Sequence, residues 1–347
     1  MLRGKFFLAA MVMIGAVGIF EPRAKAQVAG TPIEPFRLSF DQPKVMAQLQ
    51  RLRESGKLMS ADAVRRAMQT PSPAVIALAA PATQPLSTGQ IAILARKALV
   101  RVGWFVRRKN GTWEASAADG YALTTGGDVA TCYHCIDPNE ADVHEGYLFA
   151  SSADGEIFPV DAVRGIDKEL DAALIHVAGG RFTPIALNDQ VAPGDSVYLL
   201  SDPGEVAGYF SVGIINRFYW TQPTTQGADV LAGARYLRID VSTDWAPGSS
   251  GAAVMDGCGN VVGHVSTINT LGRGRSASGG SPPAPATRPA TTQPRNEQPT
   301  PRLDQRPSVT FVVLHEAVPA RGVRLLVEQI KRNALSNFTP ATQKSPQ

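Results

Sequence analysis

Charge excess is scarce in this chain. Its 347 residues carry 34 Lys and Arg against 30 Asp and Glu. Setting aside residues 1–26 removes four basic residues and one acidic, which leaves 30 against 29. There is no basic stripe either, so a nucleic-acid partner is not expected. Long apolar runs are lacking: Phe6 to Phe20 is short of the ~20 residues a membrane span needs. Cysteine is rare, with three in all. In an exported chain three leave one unpaired. Pairing Cys132 with Cys135 looks strained at that spacing, and no disulfide is assigned. Cys132, His134 and Cys135, with the distant Cys258, are too tightly spaced for a usual zinc loop and lack a fourth ligand. No metal and no cofactor are expected.

What is present divides the chain. Arg3 and Lys5, the apolar run, and Ala24-Lys25-Ala26 have the layout of a secretory signal. Cleavage before Gln27 is expected, giving a periplasmic or extracellular protein. An uncleaved signal would be the one route to a membrane. Residues 27–87 read as a helical arm and linker. Val45 to Ser55 has an amphipathic pattern, Ser60 starts a second helix through Met68, and Thr70 to Ser87 is rich in Ala and Pro. The segment reads first as a spacer with a helical hairpin, ahead of a propeptide, an inhibitory arm or a partner-binding arm.

From Thr88 a helix leads into a first strand. Asn110-Gly111 marks a hairpin, with a return at Thr112 to Glu114 and a further strand at Gly120 to Leu123. Short strands and frequent turns continue to Val265, the pattern of an all-β sandwich or barrel. Residues 272–307 are low in large apolar residues and cannot bury a core, so they read as a disordered Pro/Thr-rich loop. Val309 to Leu314 is a strand again. A helix after Pro319 puts Val323, Leu326, Val327 and Ile330 on one face. Residues 88–334 are therefore one domain and 335–347 a disordered tail.

The chemistry centres on Pro247-Gly248-Ser249-Ser250-Gly251. A serine between glycines at a turn offers a fixed hydroxyl, with backbone amides able to converge on one point. A plain Gly/Ser loop would look the same. The α/β-hydrolase arrangement is disfavoured, because it needs Gly two residues after the nucleophile and the order Ser, acid, His. Position 252 is Ala, and His134 precedes Ser250.

Four runs in one order resemble the trypsin-like serine proteases, closest to the bacterial Deg/HtrA-type branch. They are Ala130-Thr131-Cys132-Tyr133-His134-Cys135, Asp171-Ala172-Ala173-Leu174, the stretch Gly194 to Leu200 with Asp202-Pro203-Gly204 and Ser211-Val212-Gly213-Ile214-Ile215, and Gly248-Ser249-Ser250-Gly251. The resemblance spans about Val100 to Val265, and the strand and helix after Ser308 resemble that family's closing elements. It implies an all-β fold of two six-stranded antiparallel barrels, with a C-terminal helix and the N-terminal helical arm. It implies a catalytic triad of His134, Asp171 and Ser250, with the amides of Gly248 and Ser250 as oxyanion hole. Ser266 would border Asp171. Asp244 stands where trypsin carries the acid that selects basic side chains, so both are substrate-pocket candidates. The expected activity is endopeptidase hydrolysis of unfolded or extended polypeptides. A dozen polar residues after Ala334 leave no PDZ-like module in view.

Two departures bear on this. Ser249 replaces the Asp that pairs with a new N-terminus on zymogen activation. Ala252-Ala253 replaces Gly-Gly or Gly-Pro, and a methyl at 252 would crowd the site. The other reading is thus a protease-like binding or scaffold domain with little turnover. His144, His176, His264 and His315 read as ordinary surface or strand histidines.

Overall fold

The computed structural model describes residues 43–138, 143–204, 206–221, 233, 235–273 and 309–338. The secretory signal expected at 1–26, residues 274–307 of the low-complexity run and the tail beyond 338 lie outside the described residues. The described residues fall in one compact unit, Arg37–Gln347.

Two closed antiparallel barrels make up the molecule, as the resemblance implies. The first is built from β2 (Leu99–Arg108), β3 (Trp113–Ala122), β4 (Asp128–Thr131), β5 (Val143–Ser152), β6 (Ile157–Asp167) and β7 (Ala172–Val177), and it closes through β5–β6 pairing. Asn110-Gly111 turns the β2–β3 hairpin. Contrary to the sequence reading, β3 is one continuous strand, because all of Leu99 to Arg107 pairs with it. Alternating Val, Ile and Ala side chains fill the interior, among them Val100, Val102, Val129, Leu148, Val163 and Ile175. Each buried Val or Ile contributes about 1.5–3 kcal/mol.

The second barrel orders β10 (Leu237–Val241), β13 (Val309–Pro319), β12 (Val261–Arg273), β11 (Ala253–Met255), β8 (Ser196–Ser201) and β9 (Tyr209–Trp220). β12 runs past Val265 to Arg273 and pairs with β13 throughout, so Gly272 and Arg273 belong to a strand rather than to the loop expected there. β13 also pairs with β10, and this closes the barrel.

Helix α5 (Ala320–Phe338) follows β13 directly and extends four residues into the expected tail. Its predicted apolar face is buried: Val323, Leu326, Val327 and Ile330 are each at most 3% exposed. That face packs on β12 and β13 and on β6 of the first barrel, so α5 bridges the two.

The arm packs on the first barrel. In helix α1 (Pro43–Glu54), Val45 and Leu49 join Leu58, Phe105, Phe149 and Ile157 in an apolar cluster. A two-residue strand, β1 (Met59–Ser60), adds to the edge of β5. Ser60 caps helix α2 (Ala61–Gln69) by accepting the Ala63 N–H, and Val64 inserts into the barrel core. The Ala/Pro-rich stretch is then a strap. Ser72 N–H donates to Val163 O at 2.9 Å, Ala82 exchanges hydrogen bonds with Asn260, and Leu86 N–H donates to Gly257 O at 2.9 Å. It ends at Ser87, the capping-box residue of helix α3 (Thr88–Ala98).

Candidate active site

The site lies where the barrels meet. His134 sits on a short turn, α4 (Tyr133–Ile136), immediately after β4. Asp171 sits immediately before β7, in the turn after β6. It is the single described non-glycine residue with positive φ, at 61°. That conformation costs an L-residue about 1–2 kcal/mol, so surrounding contacts must hold it. Three do. His264 Nε2 bonds the Asp171 carbonyl at 3.2 Å, and since a carbonyl only accepts, this nitrogen carries the hydrogen. Ser266 Oγ donates to Asp171 Oδ2 at 2.6 Å. The His134 backbone N–H donates to Oδ1 at 3.2 Å.

The His134 ring completes the arrangement, its Nδ1 lying 3.0 Å from both Asp171 carboxylate oxygens. Burial pushes the Asp171 carboxyl up, but the hydrogen bond and charge of His134, with Ser266, outweigh it and hold the group at about 2. The bond to Asp171, followed by the Cys135 neighbour, raises the His134 imidazole above its ordinary value against the effect of burial. With 49% of the His134 side chain exposed, solvent screens part of that rise. His264 is fully buried, which drops its pKa to about 4 and keeps it a neutral donor at pH 7.

Ser266 reaches Asp171 because of a bulge. β12 and β13 pair Val265 with Ala317 and Thr267 with Glu316, so Ser266 is the extra residue. A bulged residue is re-aimed off the ladder. The sequence placed Ser266 at this border, and the structure puts it there. His264, read as an ordinary strand histidine, is instead a support of Asp171. Its spacing two before Ser266, on the same face of a strand, was the available signal.

Ser250 comes from the second barrel, on the loop before β11. Its carbonyl accepts the Asp119 N–H of β3 at 2.8 Å, while Gly251 N–H donates to Val265 O at 2.8 Å. Ser249 N–H is turned back onto Ala246 O. The amides of Gly248 and Ser250 donate to no atom among the described residues, which leaves two N–H groups free on alternate residues of the loop. Gly248 must be glycine: its φ is 108°, and a Cβ would stand 2.5 Å from Asp202 O. Among the described residues, no hydrogen bond joins His134 to Ser250.

Two departures resolve. Ala252 is fully buried in the core of the second barrel, so its methyl points away from the loop and does not crowd the site. Ser249 is also buried, and its hydroxyl has no hydrogen-bond partner among the described residues. A neutral side chain therefore stands at 249, where the resemblance would put the activation aspartate.

Asp244 is not drawn into this cluster. It is exposed, its carboxylate accepting from Tyr209 Oη at 3.5 Å, and its backbone is tied to Ser211. Two residues that carried no sequence signal, Arg101 and Asp119, meet Asp202 of the Asp202-Pro203-Gly204 run beneath the Ser250 loop instead. Arg101 of β2, 1% exposed, forms an ion pair with Asp202 across the barrels. Asp202 N–H donates to Asp119 Oδ2 at 2.9 Å. Burial, and then the charge of Asp202, hold the Asp119 carboxyl well above the carboxylate range.

Cys132, His134 and Cys135 bring one ligand atom each within 4.8 Å of one another. Three donors are one short of a closed zinc site, and His134 Nδ1 is committed to Asp171.

The sequence model of the trypsin-like peptidase domain matches residues 118–263, which include His134, Asp171 and Ser250. No curated protein sequence matches the chain. Among solved structures, the HtrA-type protease AlgW with a tripeptide is similar at 17% identity and a TM-score of 0.47, over 72% of this chain and 65% of that one. The same protease with a decapeptide gives 16% and 0.49, over 71% and 68%.

Proposed function

We propose that this chain, a protease by its trypsin-like peptidase domain, is an exported serine endopeptidase acting through an acyl-enzyme at Ser250. The observation that carries the reading is the His134–Asp171–Ser266 chain of hydrogen bonds, facing a loop whose Gly248 and Ser250 amides are free. In this mechanism Asp171 fixes the imidazole with hydrogen on Nδ1, so that Nε2 is free to accept. Nε2 takes the Ser250 hydroxyl proton as Oγ attacks a peptide carbonyl. The imidazolium is stabilised by Asp171 and then protonates the leaving amine. Water repeats the sequence on the ester and releases the acid. The two free amides receive the oxyanion, and each such donor is worth about 3 kcal/mol in the transition state. The missing His134–Ser250 bond does not count against this, because such bonds often tighten only when substrate arrives.

Substrates are extended polypeptides in this reading, and the secretory signal in 1–26 exports the enzyme. The test is a fluorophosphonate probe on mature protein, together with casein hydrolysis. Labelling of Ser250, and loss of both signals in Ser250→Ala with folding intact, is expected. Wild-type casein cleavage by pure Ser250→Ala protein would refute the assignment. Unlabelled wild type would support a binding domain of protease fold.

A further inference from the structure

The two thiols on either side of His134 each reach across to the opposite barrel. Cys132 Sγ donates to Val265 O at 3.0 Å, and Cys135 Sγ donates to Ser250 O at 3.7 Å. Val265 precedes the serine that holds Asp171, and Ser250 is the proposed nucleophile. The two cysteines are thus ties between the histidine turn and the two segments it must work with.

They are also placed to join each other. Cys135 N–H donates to Cys132 O at 3.3 Å, which closes a single turn. Such closure keeps the two Cα atoms within about 7 Å, overlapping the roughly 4.4–6.8 Å that a disulfide spans. The sulfurs already lie within 4.8 Å of each other. The strain expected from the spacing is removed by this turn, so side-chain rotation suffices to bring them together. Cys258 stands apart, in the Asp256–Asn260 turn of the second barrel.

We propose that Cys132 and Cys135 form a reversible disulfide across His134, with a small-molecule disulfide as oxidant, and that its formation lowers peptidase activity. The activity clause rests on the serine-protease reading, whereas the disulfide itself does not. Cys135 keeps 8% exposure and Cys132 none, so Cys135 meets the oxidant and Cys132 resolves.

The step balances. Cys135, as thiolate, attacks one sulfur of RS–SR, forming a mixed disulfide and expelling RS⁻, which takes up the proton Cys135 lost. Cys132 then gives up its proton and attacks the Cys135 sulfur, expelling the second RS⁻, which is protonated in turn. Two cysteines are oxidised and one RS–SR becomes two RSH. A disulfide sulfur carries no hydrogen. Oxidation therefore deletes the donors at Ser250 O and Val265 O together.

The experiment uses the full mature chain, purified reduced and incubated with graded mixtures of oxidised and reduced glutathione in a chelating buffer. Alkylation and mass mapping should show a Cys132–Cys135 link, with Cys258 alone alkylated in the oxidised form. kcat/KM should fall at the same midpoint by roughly fivefold or more, the factor that one net hydrogen bond carries, and should return with dithiothreitol. Cys258→Ser should switch in the same way, and Cys135→Ser should not form the link. Three alkylatable cysteines in the most oxidising mixture would overturn the disulfide. A complete link with unchanged kcat/KM would overturn its regulatory effect. A preparation inactive in every buffer would count against the catalytic reading, while the mass map still decides the disulfide.

Discussion

Gly251→Ala tests whether the Ser250 loop is held by the first barrel. Gly251 has φ 86°, and a Cβ built on it would stand 2.1 Å from the Asp119 carbonyl oxygen and 2.6 Å from Thr131 Oγ1. Neither neighbour can give way easily. Asp119 is backbone of β3, paired with Arg101 on one side, and Thr131 Oγ1 donates to that same Asp119 oxygen at 2.7 Å. The backbone conformation costs an alanine about 1–2 kcal/mol, and relieving the overlap costs about 1–3 kcal/mol more. A loss of about 2–5 kcal/mol is expected in urea unfolding. The loop must also move away from β3, which stretches the 2.8 Å bond from Asp119 N–H to Ser250 O. Fluorophosphonate labelling should therefore fall more than the folded fraction does. Gly257→Ala is the control, since nothing lies within 4 Å of its Cβ. If Gly251→Ala matches Gly257→Ala in both stability and labelling, the contact between loop and first barrel is not what positions Ser250.

Two further outcomes follow from the same geometry. The Asp171 carboxylate raises the His134 pKa, and in the proposed mechanism His134 must be neutral to act as base, so kcat/KM should climb with pH through a midpoint above the ordinary value of about 6.5. Asp171→Asn should move that midpoint down towards about 6.5 while lowering the rate by about 10⁴; an unmoved midpoint would show that the carboxylate does not set it. Truncation after Leu271 removes β13 and α5, opening the second barrel and uncovering the β6 surface on which α5 packs. Insoluble or inactive protein is expected, although His134, Asp171 and Ser250 all remain. A soluble truncated chain active on casein would refute the role of these elements in closing the domain.

Local signals carried a good part of the structure. The capping serine at 60, the Asn110-Gly111 turn and the 3,4-spaced apolar face of Val323 to Ile330 act over a few residues, so the chain alone announces them. Signal strength also explains the misses at element ends. Gly272 and Arg273 look like loop until β13 supplies the partner strand, and Ala252 looks like a site residue until the barrel core takes up its methyl.

The order His134, Asp171, Ser250, with glycines around the serine, belongs to the sequence, as do the alternating apolar strands that make two barrels. What joins those residues was decided only when the barrels docked. His264 supports a strained aspartate, and Arg101, Asp119 and Asp202 meet beneath the Ser250 loop. Each of these links spans 80 residues or more of chain and depends on the register of strands in two different sheets. Periodicity and spacing describe a residue's neighbours along the chain, whereas a buried hydrogen bond across a barrel interface depends on which atoms packing brings within 3 Å of one another.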